Sequence, residues 1–211
     1  MVPDHGPEPA VVAENFCHAA SQAERLKWVR QAADVDAAMA GFFSDGAGAH
    51  ETVSKLKPLL AGEQEPDLSS RFAVTLDGGG RRLLCVVREN GEAKVDFKAY
   101  ARHGSATWDD LLDGKVTEAR EVRVFIQKGN YYNYGFSYEE HWQNFKATSP
   151  DLESSLHFYL VKSHPSAKAL ERLSSQNPVR VTVSIRALGN SQRERQFEIT
   201  KVLGIGWALG D

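Results

Sequence analysis

Apolar residues recur at three-to-four spacing at the front of the chain, which is the period of an amphipathic helix. Ser21 and Glu24 have the spacing of a capping box, in which the hydroxyl and the carboxylate satisfy backbone N–H groups at a helix start. Asp34 is placed to cap a further helix. The pattern predicts three helices between residues 9 and 44 and another short helix over residues 49–60. The apolar stripes comprise Val11, Val12, Phe16, Ala19 and Ala20; Leu26, Trp28, Val29 and Ala32; and Val35, Ala38, Met39 and Phe42.

Alternating apolar residues and glycine-containing turns follow a polar loop predicted at residues 61–70. Three runs predict the strands of an antiparallel meander: residues 72–76, 83–87 and 95–100. Because side chains alternate across a strand, Asp96 and Tyr100 should share the polar face of the third strand.

The second half of the chain is predicted to be richer in strands. Residues 122–127 alternate between apolar and polar positions, and a turn follows at residues 129–130. The pattern then predicts a strand over residues 131–136 and a helix over residues 138–146. Further elements are a strand at 156–161, a helix at 166–173, and strands at 179–186 and 197–203.

The strand at residues 179–186 should have one buried face and one wet, basic face, because Arg180 and Arg186 lie on the polar side of its alternation. The segment that closes the chain, residues 204–209, is apolar enough to dock back on the body of the protein.

The order of the elements resembles two known folds. The helices and meander, with the phrase AENFCHAASQAERLKWVRQ at their front, resemble over residues 10–113 the cone-shaped α+β domains of the nuclear-transport-factor and ketosteroid-isomerase superfamily. That resemblance implies a sheet and helices around a pocket that is sometimes catalytic. The strand and helix order over residues 120–207 resembles a small five-stranded Greek-key barrel of the oligonucleotide/oligosaccharide-binding (OB) type. We therefore predict an α+β protein with a linker at residues 1–9, a helical and meander domain at 10–115, and a β-rich, OB-like domain at 120–211.

Composition is that of a soluble globular protein, with 42% hydrophobic and 25% charged residues. No apolar run approaches the roughly 18 to 20 residues of a membrane span, so we expect no membrane contact by this chain. The proline-rich start at residues 1–9 motivates the hypothesis that the chain is the soluble part of an anchored or exported bacterial protein.

The net charge of −3 conceals a difference between the two halves. Residues 1–119 carry 13 Lys and Arg against 19 Asp and Glu, whereas residues 120–211 carry 12 against 9. Opposite signs fit two domains with different partners, or with each other as partner. Neither half is basic enough to indicate nucleic acid as a partner.

The sequence contains no motif typical of a metal site or of an activated nucleophile. The seven histidines lack partners at ligand spacing, and Cys85 lies in an apolar run where burial keeps a thiol inert. We therefore predict no metal and no cofactor. The strongest catalytic candidates are Asp96 and Tyr100, which would line a pocket suited to proton transfer if the sheet is concave on their side. The alternative is a solvated strand face.

Aromatic residues are concentrated over positions 122–142, VRVFIQKGNYYNYGFSYEEHW. Three interpretations compete: core packing, stacking of single-stranded bases, and recognition of protein or peptide. In the second, the residues that track the phosphates would be Arg123, Lys128, Arg180 and Arg186. The third requires no strong net charge and is favoured over nucleic acid. The candidate binding residues are Tyr131, Tyr132, Tyr134, Arg123 and Lys128.

The sequence thus favours a non-enzymatic binding or scaffolding module that recognises protein or peptide, and it is compatible with a homo-oligomer. The alternative is a small-molecule-binding or isomerase-like enzyme with a pocket in the N-terminal domain. The two functions place the site differently. A binder should expose Tyr131 and Tyr134, whereas an enzyme should enclose a cavity lined by Asp96 and Tyr100.

Overall fold

The computed structural model describes residues 6–60, 70–149, 154–189 and 195–210. They form a mixed α+β structure, as predicted, with one open antiparallel sheet and one closed five-stranded barrel. They divide into two compact units, one ending at His103 and one running from Gly104 to Leu209. No helix in this part of the chain is long and apolar enough to cross a lipid bilayer. The predicted linker at 1–9 and polar loop at 61–70 lie largely outside the described residues.

The first unit packs helices against a sheet with the strand order β1-β2-β3-β4, in which all neighbours are antiparallel. Its core includes Phe16 and Met39 from the helices and Leu84 from the sheet, each at most 1% exposed. The elements are α1 (Pro9–Cys17), α2 (Gln22–Leu26), α3 (Ala32–Ser44), β1 (Val53–Leu59), β2 (Ser70–Leu76), β3 (Arg81–Glu89), β4 (Glu92–Val95) and α4 (Phe97–Ala101).

The three helices at the front of the unit are confirmed, and polar side chains cap the start of the second. The hydroxyl of Ser21 accepts from the backbone N–H of Glu24 at 3.2 Å, and the Glu24 carboxylate accepts from the backbone N–H of Ala20 at 2.8 Å. Asp34 is not a cap, because α3 already begins at Ala32. Its carboxylate lies in the first turn, where it favours the positive end of the helix dipole.

Residues 53–59 form a strand, so the helix predicted over residues 49–60 is wrong. β1 pairs with β2 from Val53 opposite Leu76 to Leu59 opposite Arg71. Among the described residues it is an edge strand, which tolerates Pro58 because one side of its backbone pairs with no strand there. The sheet therefore has four strands instead of the three predicted.

The third meander strand lies earlier in the chain than predicted, so the strand predicted at residues 95–100 is wrong beyond its first residue. β4 stops at Val95, and the Asp96 carboxylate accepts from the backbone N–H of Ala99 at 2.9 Å, which starts α4. Phe97 and Tyr100 then share one helical face and both enter the core. Asp96 and Tyr100 consequently do not lie on the polar face of a strand.

The second unit is a barrel with the closed strand order β5-β6-β7-β9-β8, in which β8 returns to β5. Every neighbouring pair is antiparallel except β7 with β9. Leu111 and Val116, which precede the first strand, are buried with the barrel core. The elements are α5 (Trp108–Leu112), β5 (Arg120–Lys128), a 3₁₀ turn (Tyr134–Phe136), β6 (Trp142–Thr148), β7 (Ser155–Val161), α6 (Ala167–Leu173), β8 (Val179–Arg186) and β9 (Gln196–Ile205).

Alternate residues of the strands fill the barrel, as their period of two requires. The side chains that fill the barrel are apolar and at most 4% exposed: Val122, Val124, Ile126, Phe145, Ala147, Leu156, Phe158, Leu160, Val179, Val181, Val183, Ile185, Phe197 and Ile199. The strands predicted at residues 122–127, 156–161, 179–186 and 197–203 and the helix at 166–173 are confirmed.

Between β5 and β6 two predicted elements are wrong. Residues 131–136 form a loop and a 3₁₀ turn instead of a strand, and the helix predicted at 138–146 is replaced by β6. In β6, Phe145 and Ala147 point into the barrel and pair with Phe158 and Leu156 of β7. Strand pairing and burial thus outweigh the helical pattern of this segment.

Contrary to the prediction, the outer face of β8 is not exposed to solvent along its whole length, because the end of the chain docks there. Trp207 is 4% exposed, and its indole N–H donates to the carbonyl of Val124 at 3.2 Å. Thr182 is fully buried and donates to the carbonyl of Gly206, while the guanidinium of Arg180 lies 5.5 Å from the Trp207 ring. The predicted docking of residues 204–209 is confirmed by the burial of Trp207.

Candidate functional site

The segment between β5 and β6, residues 129–141, lies over the outer face of β6 and β7, and we refer to it as the β5–β6 connection. Its Tyr131 ring stacks on His157, with centroids 4.4 Å apart. Its Phe136 ring stacks on Tyr159, with centroids 4.0 Å apart. His157 and Tyr159 alternate along β7 with residues that fill the barrel, so they belong to its outer face.

Tyr159 anchors the connection by both its ring and its hydroxyl. The hydroxyl donates to the backbone carbonyl of Tyr131 at 2.9 Å and accepts from the side-chain amide of Gln196 at 3.3 Å. Phe136, fully buried, also meets Trp142 edge-on at 5.0 Å. Burial raises the pKa of Tyr159 well above its ordinary value, so its hydroxyl stays protonated and continues to donate.

Asn144 fixes the beginning of the connection from the adjacent strand. Its carbonyl accepts from the N–H of Gly129 at 3.0 Å, and its side-chain oxygen accepts from the N–H of Tyr131 at 3.1 Å. A Cβ at position 129 would lie 2.1 Å from that side-chain oxygen, so only glycine fits there. Asn144 is fully buried, and these bonds satisfy its backbone and side-chain oxygens.

The connection buries some of its aromatic rings and presents others to solvent. Tyr132 is partly buried, and its hydroxyl accepts from the N–H of Asn144 at 3.4 Å. Tyr131 is 40% exposed above His157. Tyr134 and Tyr138 are 55% and 61% exposed. Of the three predicted binding tyrosines, Tyr134 is thus the most accessible, and Tyr138, which the predictions omit, exceeds it.

Tyr134 has a backbone conformation that L-residues rarely adopt. Its φ is +51°, in the left-handed region that favours glycine and, less strongly, asparagine. The side-chain oxygen of Asn133 accepts from its N–H at 2.8 Å and supports the bend. A bulky aromatic residue therefore occupies a strained position while more than half of its surface stays in water.

The neighbours of Tyr134 and Tyr138, in space or along the chain, include one apolar residue and two acidic residues. Leu188, in the segment after β8, is 37% exposed, and its methyl group lies 3.8 Å from where a Cβ of residue 135 would stand. Glu139 and Glu140 directly follow Tyr138 and are both exposed. We call Tyr134, Tyr138, Leu188, Glu139 and Glu140 the tyrosine edge.

The two basic residues predicted to bind, Arg123 and Lys128, are already engaged within the barrel unit. The Arg123 side chain is 1% exposed; it pairs with Glu121 and donates to the carbonyl of Trp207 at 3.0 Å. Burial of its charge is offset by these bonds. Lys128 pairs with Glu171 at 2.6 Å, and that bond raises the pKa of Lys128. Arg123 is therefore not a surface residue.

The two catalytic candidates lie in the core of the first unit. One carboxylate oxygen of Asp96 caps α4, and the other accepts from the guanidinium of Arg30 at 2.6 Å. Asp96 is 1% exposed and Tyr100 is 3% exposed. The Tyr100 hydroxyl donates to Glu51 at 2.9 Å. Burial, followed by the Glu51 carboxylate, raises the pKa of Tyr100 far above its ordinary value.

Glu51 and Arg82 form a buried ion pair that sequence reasoning missed. Each side chain is 7% exposed, and the Arg82 Nε donates to Glu51 at 2.6 Å. Arg82 also donates to the carbonyl of Ala47 and lies over the Phe42 ring at 5.1 Å. Glu51 follows a glycine-rich loop and resembles a solvated residue in sequence, so no local signal could have revealed its burial.

Neither Cys17 nor Cys85 takes part in a disulfide. Burial, with a smaller contribution from the charge of Glu14, raises the pKa of Cys17 to about 12. Within the described ranges, no three His, Cys, Asp or Glu side chains are grouped so as to hold a metal ion. Comparison of the chain with known protein families, curated proteins and solved structures found no match.

Proposed function

We propose that the barrel unit is a protein- or peptide-recognition module of the OB type, and that its contact surface is the tyrosine edge. The strand order supports the OB assignment: numbered within the barrel, the strands follow the closed order 1-2-3-5-4, with a helix between the third and the fourth. The connection between the first two strands, which carries ligand contacts in many barrels of that type, here carries the exposed tyrosines.

The observation that carries the proposal is the conformation of Tyr134. Placing an L-residue in the left-handed region costs roughly 1–2 kcal/mol, and glycine at this position would avoid that strain. Burial offsets only part of that strain, because 55% of the residue stays exposed. Strain of this kind is found preferentially at functional sites. A partner that covers the ring would account for tyrosine at this position.

The connection is also held in place before any partner arrives. The stacks on His157 and Tyr159 and the bonds to Asn144 fix its backbone, so little conformational entropy remains to be lost on binding. Tyrosines on a fixed backbone supply a large contact area with few rotatable bonds, which is the composition favoured in recognition surfaces.

The charges of the barrel unit disfavour single-stranded nucleic acid as the partner. Stacked bases require Lys or Arg beside them to follow the phosphates. All four basic residues that the sequence suggests for this purpose have partners within the protein: Arg123 with Glu121, Lys128 with Glu171, Arg180 over Phe125 and Trp207, and Arg186 with Glu198. The exposed Glu139 and Glu140 would repel phosphates as well.

The alternative, an isomerase-like enzyme with a pocket in a cone-like first unit, would require Asp96 and Tyr100 to meet a ligand. Both oxygens of Asp96 already accept bonds from Ala99 and Arg30. The Tyr100 hydroxyl is committed to Glu51. The geometry therefore favours recognition by the barrel over proton transfer in the first unit.

A selection from random peptides displayed on phage tests the proposal. The bait is the whole chain, with counter-selection on the double variant Tyr134→Gly, Tyr138→Ser, and selected peptides are then labelled and titrated by fluorescence anisotropy. Truncation of a hot-spot tyrosine costs about 2 kcal/mol or more, so affinity should fall roughly thirtyfold or more in the double variant. A labelled oligodeoxythymidine at low salt is the nucleic-acid arm. Tight binding of this oligonucleotide that is lost in the double variant would mean that the partner is nucleic acid instead of a peptide.

A further inference from the structure

The tyrosine edge is acidic, although the barrel unit as a whole is not. Residues 120–211 hold 12 Lys and Arg against 9 Asp and Glu. The β5–β6 connection, in contrast, contains Glu139 and Glu140 and no lysine or arginine. An exposed apolar surface bordered by one sign of charge selects partners of the opposite sign, because like charges brought together at an interface are repelled.

Glu139 and Glu140 differ from the other acidic residues of the barrel strands and α6. Glu121, Glu171 and Glu198 each pair with an arginine or a lysine. Neither Glu139 nor Glu140 has a salt-bridge partner among the described residues, and both are exposed beside Tyr138. Glu139 acts on Lys128 only through the distant attraction of their charges, so both carboxylates can still accept hydrogen bonds from a group outside the chain.

The combination of an aromatic face and an adjacent carboxylate matches one side chain best. A guanidinium stacks on a tyrosine ring and at the same time donates two parallel hydrogen bonds to a carboxylate. A lysine ammonium provides the charge but not the planar fork. Guanidinium stacking of this kind occurs within the protein, where Arg25 lies 4.2 Å from the Phe43 ring centroid.

We infer that the segment recognised by the tyrosine edge is a basic peptide segment of another protein, with at least one arginine placed between a tyrosine ring and Glu139 or Glu140. This inference rests on the proposed function and specifies the chemistry of its partner. An apolar side chain next to the arginine would meet Leu188 and the Tyr134 ring, the apolar part of the same surface.

The first test changes the peptide. Peptides selected on the chain and dependent on Tyr134 should be enriched in arginine. In anisotropy titrations, replacing that arginine by citrulline, which keeps the shape but removes the charge, should weaken binding about tenfold or more, and replacing it by lysine should weaken binding less. Tyr134-dependent peptides without basic residues, or equal affinity of the citrulline peptide, would overturn the inference and leave the proposed function standing. Failure to select any Tyr134-dependent peptide would overturn both.

The second test changes the protein. The double variant Glu139→Gln, Glu140→Gln should bind the arginine peptide about fivefold to tenfold more weakly, and the difference from wild type should shrink as salt is added. Glu118→Gln is the matched control. Glu118 is equally acidic and its side chain is 80% exposed, but it precedes the start of β5, whereas the connection follows the end of that strand. Equal losses in both proteins would show a general charge effect and contradict the inference.

Substitutions at Gly135 test whether the sign of the added charge decides the change in affinity. A Cβ there meets only Leu188 at an ordinary 3.8 Å, so side chains are accommodated without strain. Gly135→Lys should weaken the arginine peptide about twofold to fivefold, and Gly135→Glu should strengthen it. The same change of affinity in both variants would mean that bulk, not charge, decides binding, and would contradict the inference.

Light scattering completes the test, since self-association that disappears in Tyr134→Gly would identify a second copy of this chain as the partner instead.

Discussion

The ring of Phe136 lies flat on the ring of Tyr159, with centroids 4.0 Å apart and ring planes 5° apart. Phe136 belongs to the β5–β6 connection and Tyr159 to β7, so the stack joins a connecting segment to the outer face of the barrel. Both residues are fully buried. Two residues before and two residues after Phe136, Tyr134 and Tyr138 are exposed to solvent.

Removing that ring should release the connection. Phe136→Ala is expected to lower the free energy of unfolding by about 3 kcal/mol or more, because a fully buried aromatic ring leaves a cavity behind. Urea denaturation measures the loss, and hydrogen exchange should show faster exchange at the N–H of Tyr131. Tyr138→Ala, at a side chain that is 61% exposed, serves as the control and should change stability by no more than about 0.5 kcal/mol. Equal losses of stability in Phe136→Ala and Tyr138→Ala would contradict the claim that Phe136, and not Tyr138, anchors the connection.

Tyr134→Gly should leave the protein as stable as wild type, or more stable by up to about 1.5 kcal/mol. Glycine relieves roughly 1–2 kcal/mol of left-handed strain but adds roughly 0.5–1 kcal/mol of entropy to the unfolded chain. Tyr134→Ala keeps the Cβ, and with it the strain, so no gain is expected from it. Thermal and urea unfolding compare the three proteins. A loss of more than about 1 kcal/mol in Tyr134→Gly would mean that the tyrosine is retained for stability.

Glu51→Ala should be strongly destabilising, by about 3 kcal/mol or more, because it leaves the Arg82 charge buried without a counterion. The double variant Glu51→Ala, Arg82→Met removes that charge as well and should recover part of the loss. Urea denaturation of the single and double variants measures both effects. If adding Arg82→Met lowered the stability of Glu51→Ala further, as two independent losses would, the unpaired Arg82 charge would not be the cause of the destabilisation.

The barrel should lose stability in mild acid through His157. Burial, and then the charge of Lys146, lowers the pKa of His157 in the folded protein, and its Nδ1 is buried without a hydrogen-bond partner among the described residues. Below the unfolded pKa of about 6.5 the unfolded chain takes up the proton more readily. Stability is therefore full above that pH and falls as the pH drops toward the folded pKa. The variant His157→Phe keeps a ring beneath Tyr131, and its free energy of unfolding, measured with urea, should fall less over the same pH range. The same pH dependence in variant and wild type would contradict this role of His157.

The strands that fill the barrel were predictable because one face of each is uniformly apolar. Residues 122–127 and 179–186 alternate with a period of two, and the barrel enforces the same period. The connection between β5 and β6 was not predictable in this way. Tyr131 and Phe136 are apolar enough for a strand, but their rings cover the outside of β7 instead of joining the ladder.

The candidate site was predicted in part. The sequence pointed to tyrosines after Gly129, and Tyr134 is indeed exposed, but no local pattern separates it from the partly buried Tyr132. Arg123 was expected at the surface because its neighbours alternate. It is buried instead. Its guanidinium donates a hydrogen bond to the carbonyl of Trp207, which lies 84 residues further along the chain. Contacts over such separations depend on the tertiary fold and leave no trace in a short window of sequence.

The affinity of Tyr134→Gly for a peptide selected on the wild-type chain tests the central claim most directly. Both proteins are titrated against the same labelled peptide by anisotropy, at a temperature where unfolding curves show both fully folded. We predict a Kd about thirtyfold higher for the variant, with a stability equal to or above that of the wild type. An unchanged Kd would contradict the claim that Tyr134 is retained to contact a partner.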